Sequence, residues 1–298
     1  MGKEENKTRK SIWLVVVIVI VAVILLTGML VRNMKKAENA VTLNNPKQDS
    51  DGVVTWDCVY FGSYPQSDDT GENKEPIKWR VLSVDGEDAF LIADTNLDVR
   101  KYNNMFVDVT WETCTLRSWL NGYGSDSNEC GTDCSSNNFI NQAFTDSEQK
   151  AIKQTTVVNT GNSFFDHIDG GRDTQDKIFL LSYDEAANPD YGFLIDNARK
   201  RENTAYAEKI FVSRYDFGGV HDWWLRSPGG STKYAIYVNF YGEFRMNEGV
   251  RFDCGVCPAL HLDLSFTDVW SYAGMVNSNG EIIEEENLSS EEEESSEQ

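Results

Sequence analysis

The fold is decided by four runs near the C-terminus: WWLRSPG (223–229), YAIYVNF (234–240), EFRM (243–246) and GVCPALHLDL (255–264). Each is short, rich in aromatic or β-branched residues, and set off by turn-forming residues, which is how strands read in a sequence. Tyr241-Gly242 separates the second run from the third and predicts a hairpin. Working back toward the N-terminus, VVTWDCVYFG (53–62), IKWRVLSV (77–84) and DAFLIAD (88–94) have the same character. Between these two groups of strands the pattern turns helical. Regular strand–helix alternation is missing, so the order predicts an α+β domain and not a doubly wound sheet.

Leu116, Trp119 and Leu120 fall at i, i+3 and i+4, and Asn121-Gly122 supplies a helix stop. Thr145 to Glu148 has the form of a capping box, in which hydroxyl and carboxylate satisfy each other's free backbone amides, and Ser182 to Glu185 is a second copy. Between them KIFLL (177–181) reads as a buried strand. After Asn203 the pairs Tyr206/Ile210 and Ala207/Phe211 predict one more helix.

The 298 residues, 40% of them hydrophobic, suffice for one large domain or two small ones with a real core. Residues 12–31, IWLVVVIVIVAVILLTGMLV, carry no charge and are long enough to cross a hydrocarbon layer of roughly 30 Å. This predicts a transmembrane helix after a short cytoplasmic N-terminus (1–11). A cleaved signal peptide is the alternative, but its apolar region typically runs about 7–15 residues, and no A-x-A-like site closes this one promptly. Lys and Arg are nearly balanced on the two flanks, so orientation rests on the cysteines. All six (Cys58, Cys114, Cys130, Cys134, Cys254, Cys257) follow the span, and an even count on one side suits an oxidising exterior and predicts disulfides. The expectation is a single-pass cell-membrane protein with its N-terminus inside, a stalk over 32–51, an extracellular domain over 52–274 and an acidic disordered tail over 275–298. The formal net charge of −21, concentrated in the domain and the tail, repels phosphate backbones and argues against nucleic-acid binding.

The phrases FGSYPQ (61–66), IKWRVLSV (77–84), TWETCTLRSWLNG (110–122), AFTDSEQKAI (143–152), DKIFLLSYDEA (176–186), WWLRSPGG (223–230) and GVCPALHL (255–262) together resemble an uncharacterised family. It is a domain of unknown function found in surface and secreted proteins of gut clostridia and relatives, with signature phrases TLRxWLN, WxLRSPG and GVRPAL. Cys257 stands where that last phrase has Arg. The closing order of Trp-rich strand, hairpin and Gly-Val-x-Pro-Ala strand is similar to C-type-lectin-like folds, including the formylglycine-generating-enzyme branch. The resemblance implies a mixed sheet with flanking helices, and a bridge from Cys114 to Cys254 or Cys257. Cys130 and Cys134 closing a small ring is the reading from their own loop.

For chemistry, Cys254-Gly-Val-Cys257 has the spacing of a redox motif, but ALHLDL after Pro258 reads as a strand where a thioredoxin-type site needs a helix. Asp166, Asp169, Asp173 and Asp176 lie in a Gly-containing acidic loop that reads as solvated, so no cofactor is expected, with calcium, which its oxygens would suit, as the alternative. The three histidines lack zinc-ligand spacing, and no nucleophilic-hydrolase signature is present. The remaining candidates are aromatic and polar: Asp222, Trp223, Arg226, Asn239, Tyr241 and Arg245 around the hairpin. Strand alternation puts Trp223 and Trp224 on opposite faces, one toward the core and one free to stack on a ligand. Arg117, Trp119, Trp224 and Arg226 are expected to act mainly in the fold. The functional expectation is a non-catalytic module for a carbohydrate or protein ligand. The alternative is an extracellular oxidase or hydrolase on the formylglycine-generating scaffold, whose copper-binding cysteines have no convincing counterpart at Cys254 and Cys257.

Overall fold

The computed structural model describes residues 41–67, 71–165, 167–210 and 220–283. The expected transmembrane segment and most of the acidic tail lie outside the described residues. Among those described, no helix is long and apolar enough to cross a membrane. Residues from Leu43 onward form one compact unit, to which everything below refers.

The strands are β1 (Lys47–Gln48), β2 (Val54–Pro65), β3 (Lys74–Asp85), β4 (Asp88–Ala93), β5 (Asp98–Lys101), β6 (Thr155–Val157), β7 (Thr174–Asp176), β8 (Ile178–Phe179), β9 (Arg201–Glu202), β10 (Val220–His221), β11 (Trp223–Pro228), β12 (Tyr234–Val238), β13 (Phe244–Gly249), β14 (Asp253–Val256), β15 (Ala259–Asp263), β16 (Trp270–Asn277) and β17 (Ile282–Ile283). A first sheet runs in the order β17-β16-β2-β3-β4-β15-β8, with β1 added beside β2, and a second runs β13-β12-β11-β14-β5. Pairing in the first is antiparallel throughout, whereas β11 and β14 of the second run parallel. The result is an open, sheet-rich α+β domain.

Helices are short: α1 (Thr115–Asn121), α2 (Phe139–Ala143), α3 (Asp146–Ala151), α4 (Tyr183–Ala186), α5 (Asp196–Arg199) and α6 (Ala205–Ile210). Their ends follow the local signals. Gly122 closes α1 in the left-handed conformation, and α3 and α4 begin with complete capping boxes at Thr145/Glu148 and Ser182/Glu185. Trp56, Trp79, Trp111, Trp223 and Trp224 are fully buried, and each indole N–H donates to a fixed acceptor: Tyr191 O, Phe61 O, the Asp176 carboxylate, Arg199 O and Arg100 O. Paired this way, a tryptophan delivers its large apolar surface to the core without an orphaned donor.

Three expectations are corrected. The run 255–264 is not one strand: β14 belongs to the second sheet and β15 to the first, and Cys257-Pro258 carries the chain between them. The segment β4–β5 makes the same passage alongside, tied to it by Ala93 N–H to Pro258 O and Leu97 N–H to Val256 O, both at 2.9 Å. Gly255 sits at this corner because an added Cβ would lie 2.6 Å from Asp222 O. Second, part of the expected stalk is folded: Leu43 is buried, Asn44 bonds the Asp57 carboxylate and β1 pairs with β2. The domain also outruns residue 274, since β16 pairs with β2 through Asn277. Third, in place of the bridges expected from the even cysteine count, all six cysteines are free thiols. Cys58, Cys114, Cys134, Cys254 and Cys257 are packed in the core and Cys130 is half-buried.

Candidate functional site

The candidates chosen from the hairpin divide into core and surface. Trp223 and Trp224 are both inaccessible, because β11 is a central strand of the second sheet with both faces covered. Neither is a stacking plate. Arg226 is likewise buried, held by Leu180 O, Val158 O and both carboxylate oxygens of Glu185. Arg117 pairs through Nε with Asp176 at 2.8 Å.

What remains at the surface is the tip of the hairpin. Asn239 is buried and shapes it, its Oδ1 accepting from Tyr241 N and Glu243 N while its amide donates to Glu243 Oε2 at 3.0 Å. Glu243 in turn pairs with exposed Arg245. Tyr241 stands out from this frame, 58% exposed, its ring 4.0 Å from that of Phe240. Gly242 has φ +86°, and an added Cβ would meet Asp196 O at 1.9 Å, so the tip lies directly on α5. Arg199 fastens it there by donating from Nε to Gly242 O at 2.8 Å. Asp222 supports the base of the tip, accepting from Phe240 N. Burial pushes its carboxyl above the ordinary range, and burial together with the negative charge of Asp222 does the same to Glu248.

On α5 and just after it, Asn197 and Lys200 line a cleft of about 220 Å³ together with Arg80, Asp94, Thr95, Arg201, Glu202 and the β16–β17 turn at Ser278–Gly280. Asp94 and Thr95 come from the corner where β4–β5 passes between the sheets. Asp94 accepts from Arg80 Nε at 2.5 Å and lies 3.9 Å from Lys78 Nζ. Burial alone would raise its pKa, but the Arg80 charge and hydrogen bond, with Lys78 and Arg201 behind them, hold the carboxyl below its ordinary value. Sequence reading missed this cleft, because its walls come from segments that nothing in the local pattern links. A second cleft of about 210 Å³ lies where Arg100 stacks on Trp119, 4.3 Å from the ring.

The described carboxylates of the acidic loop are engaged by the protein's own donors. Asp166 lies outside the described residues. Asp176 is buried and accepts from Arg117, Trp111, Thr174 and Tyr123, while Asp173 and Asp169 accept from the backbone amides of Asn159 and Gly171. Among the described residues no group of three or more His, Cys, Asp or Glu side chains is placed to hold a metal.

These features define an α+β domain with two joined sheets, a presented aromatic tip and a polar cleft behind it. The family whose model is described as Domain of unknown function (DUF6273) matches residues 86–264, and the chain belongs to that family. No curated protein and no solved structure matches the chain. The whole second sheet falls within the match, whereas β2, β3, β16 and with them Arg80 and Ser278–Gly280 of the cleft fall outside it.

Proposed function

We propose that this chain is a non-catalytic binding module on a C-type-lectin-like scaffold, displayed outside the cell by a membrane anchor at residues 12–31, and that it takes a carbohydrate or protein ligand at the hairpin tip. The observation carrying this reading is Tyr241: an exposed ring backed by Phe240 and flanked by the Asn239–Glu243–Arg245 network. An aromatic face beside fixed planar hydrogen-bonding groups is the composition of a recognition surface. Thiol chemistry finds little support. Burial first pushes Cys114 up to about 12 and Cys257 up to about 11, and it pushes Cys254 well up as well, which disfavours the thiolate at these three core positions.

A hydrolase is the second reading, favoured by Asp222 at the base of the tip and Glu248 further along β13, two partly buried carboxyls that interact electrostatically and have raised affinity for a proton. A glycan array probed with the full-length protein in detergent separates the two. Saturable binding that Tyr241→Ala weakens, with no product formed, is the expected result. Turnover of a bound glycan that Glu248→Gln abolishes would replace the binding reading with the hydrolase. Protease added to intact cells is expected to remove the domain, and survival of the domain alongside cytosolic controls would overturn its external display.

A further inference from the structure

We propose that the second cleft, beside Trp119, binds a single uncharged sugar ring through its hydroxyls. Its volume of about 210 Å³ lies below the roughly 300–1,000 Å³ of pockets for drug-sized ligands and suits a ligand of one ring. Leu116 and Trp119 of α1, 1% and 6% exposed, are the buried apolar part of the lining and offer carbon to the C–H face of a ring. Around them the lining is polar, and each side chain is held by one of its atoms while another is left over. Asn104 donates from Nδ2 to Thr132 Oγ1 at 3.3 Å, which leaves Oδ1. Asn137 accepts from Gln142 through Oδ1 at 2.6 Å, which leaves Nδ2, and Asp133 accepts the Ser135 amide through Oδ1 at 2.9 Å, which leaves Oδ2. Arg100 turns Nε and Nη2 to Asp98 at 3.2 and 3.4 Å. Its Nε is enclosed, whereas Nη1 remains accessible on a side chain that is 40% exposed and lines the cleft. None of these four remaining atoms has a hydrogen-bond partner among the described residues.

The charges around the cleft are matched within the chain, and this sets the charge of the ligand. Burial alone would lower the Arg100 pKa, but the charge of Asp98 holds it above its ordinary value, and Lys101 lies 3.4 Å from Asp253. Neither cation calls for an anion. Asp133, the one charge of the lining with no ion pair among the described residues, disfavours one. What the wall offers is two donors, Arg100 Nη1 and Asn137 Nδ2, and two acceptors, Asn104 Oδ1 and Asp133 Oδ2. A sugar hydroxyl both donates and accepts, so it is complementary to such a mixture. The wall is also set before a ligand arrives. Asn128 accepts the Thr132 amide at 3.0 Å and donates to Thr132 O at 2.8 Å and Ser118 Oγ at 3.2 Å, while Asn138 donates to Cys134 O at 2.9 Å and Ser135 O at 3.1 Å. Groups already held in place lose little freedom on binding.

The test is calorimetric titration of the full-length protein in detergent with methyl glucoside, methyl galactoside, N-acetylglucosamine and glucuronate. At least one of the three uncharged sugars is expected to bind saturably, and glucuronate more weakly than that sugar. Because no net charge is neutralised, about a tenfold rise in ionic strength should change the affinity by less than about twofold. Asn104→Ala and Asn137→Ala alter exposed side chains, should melt as the unaltered chain does, and should each weaken binding by about threefold to tenfold, the size of one hydrogen bond. Arg100→Gln should weaken it as well, and if that variant does not fold the two asparagine variants decide the matter. Tyr241→Ala is expected to bind the same sugar with unchanged affinity, which separates this cleft from the hairpin tip. Absence of saturable binding by all three uncharged sugars, glucuronate bound as tightly as the best of them, or unchanged affinity in both asparagine variants would each overturn the proposal.

Discussion

Arg226 meets Glu185 through both of its terminal nitrogens, Nη2 to Oε1 at 2.9 Å and Nη1 to Oε2, while the same Glu185 Oε2 accepts the Ser182 amide that opens α4. One carboxylate thus completes a helix cap and anchors a central strand of the second sheet. The guanidinium also reaches Leu180 O and Val158 O, so three residues besides its own strand are tied together through it.

Arg226→Ala should therefore destabilise the domain by about 3–5 kcal/mol, the cost of breaking a buried pair and stranding its partner groups. Denaturant melts of the two proteins measure it. A loss below about 1 kcal/mol would show that the junction is not what joins α4 to β11.

Glu248 gives a pH prediction with the opposite sign to an ordinary salt-bridged carboxylate. Burial, then the charge of Asp222, raise its folded-state pKa, so the folded chain keeps this proton to higher pH than the unfolded chain does. The stability this group contributes is present below the unfolded value of about 4.3 and is lost as pH rises through the folded one. Glu248→Gln should accordingly be more stable than the unaltered chain at neutral pH, with the gap closing as pH falls toward 4. A variant less stable at pH 7 than the unaltered chain would mean that the charge is used in the fold.

The thiols are predicted to differ in reactivity by burial. Cys130 is half-buried, whereas the other five sit in the core, Cys58 with its pKa pushed up to about 12 mainly by burial. Under native conditions an alkylating reagent should modify Cys130 first and all six only after unfolding. Rapid native labelling of Cys254 or Cys257 would revive a redox role for the CxxC segment.

Local chemistry in this chain was legible where a few consecutive residues decide the outcome. The capping boxes at Thr145 and Ser182, the stop at Gly122 and the turn at Tyr241-Gly242 each read off four or five residues. Features set by tertiary context were not. Alternation assigned Trp223 and Trp224 to opposite faces, which is sound for a sheet with one wet side, but β11 is covered on both. The run 255–264 has continuous strand character, and only the passage between two sheets at Cys257-Pro258 breaks it. Residues 43–48 carry no hydrophobic period, yet Leu43 enters the core and Asn44 and Asn45 satisfy the Asp57 carboxylate and the Val84 amide. The Arg201 cleft joins residues near 80, 94, 200 and 278, separations over which no sequence pattern carries information.

Trp119 and Tyr241 put the division between core and recognition surface to a direct test. Trp119 follows Leu116 by one turn on α1, is 6% exposed, and packs its ring 5.7 Å from Phe139 with Arg100 stacked above it. Truncation removes a large buried ring and leaves a cavity between α1 and α2, so Trp119→Ala should cost about 3–5 kcal/mol. Its indole N–H has no partner, so the loss comes from packing alone, and Trp119→Phe should recover part of it. Tyr241 is 58% exposed and the turn is held by Asn239 and Gly242, so Tyr241→Ala should change stability by no more than about 0.5 kcal/mol while weakening the ligand seen on the array. Thermal melts and binding measured on the same preparations decide it: a Trp119→Ala protein as stable as the original, or a Tyr241→Ala protein that melts early, would place the ring in the wrong class.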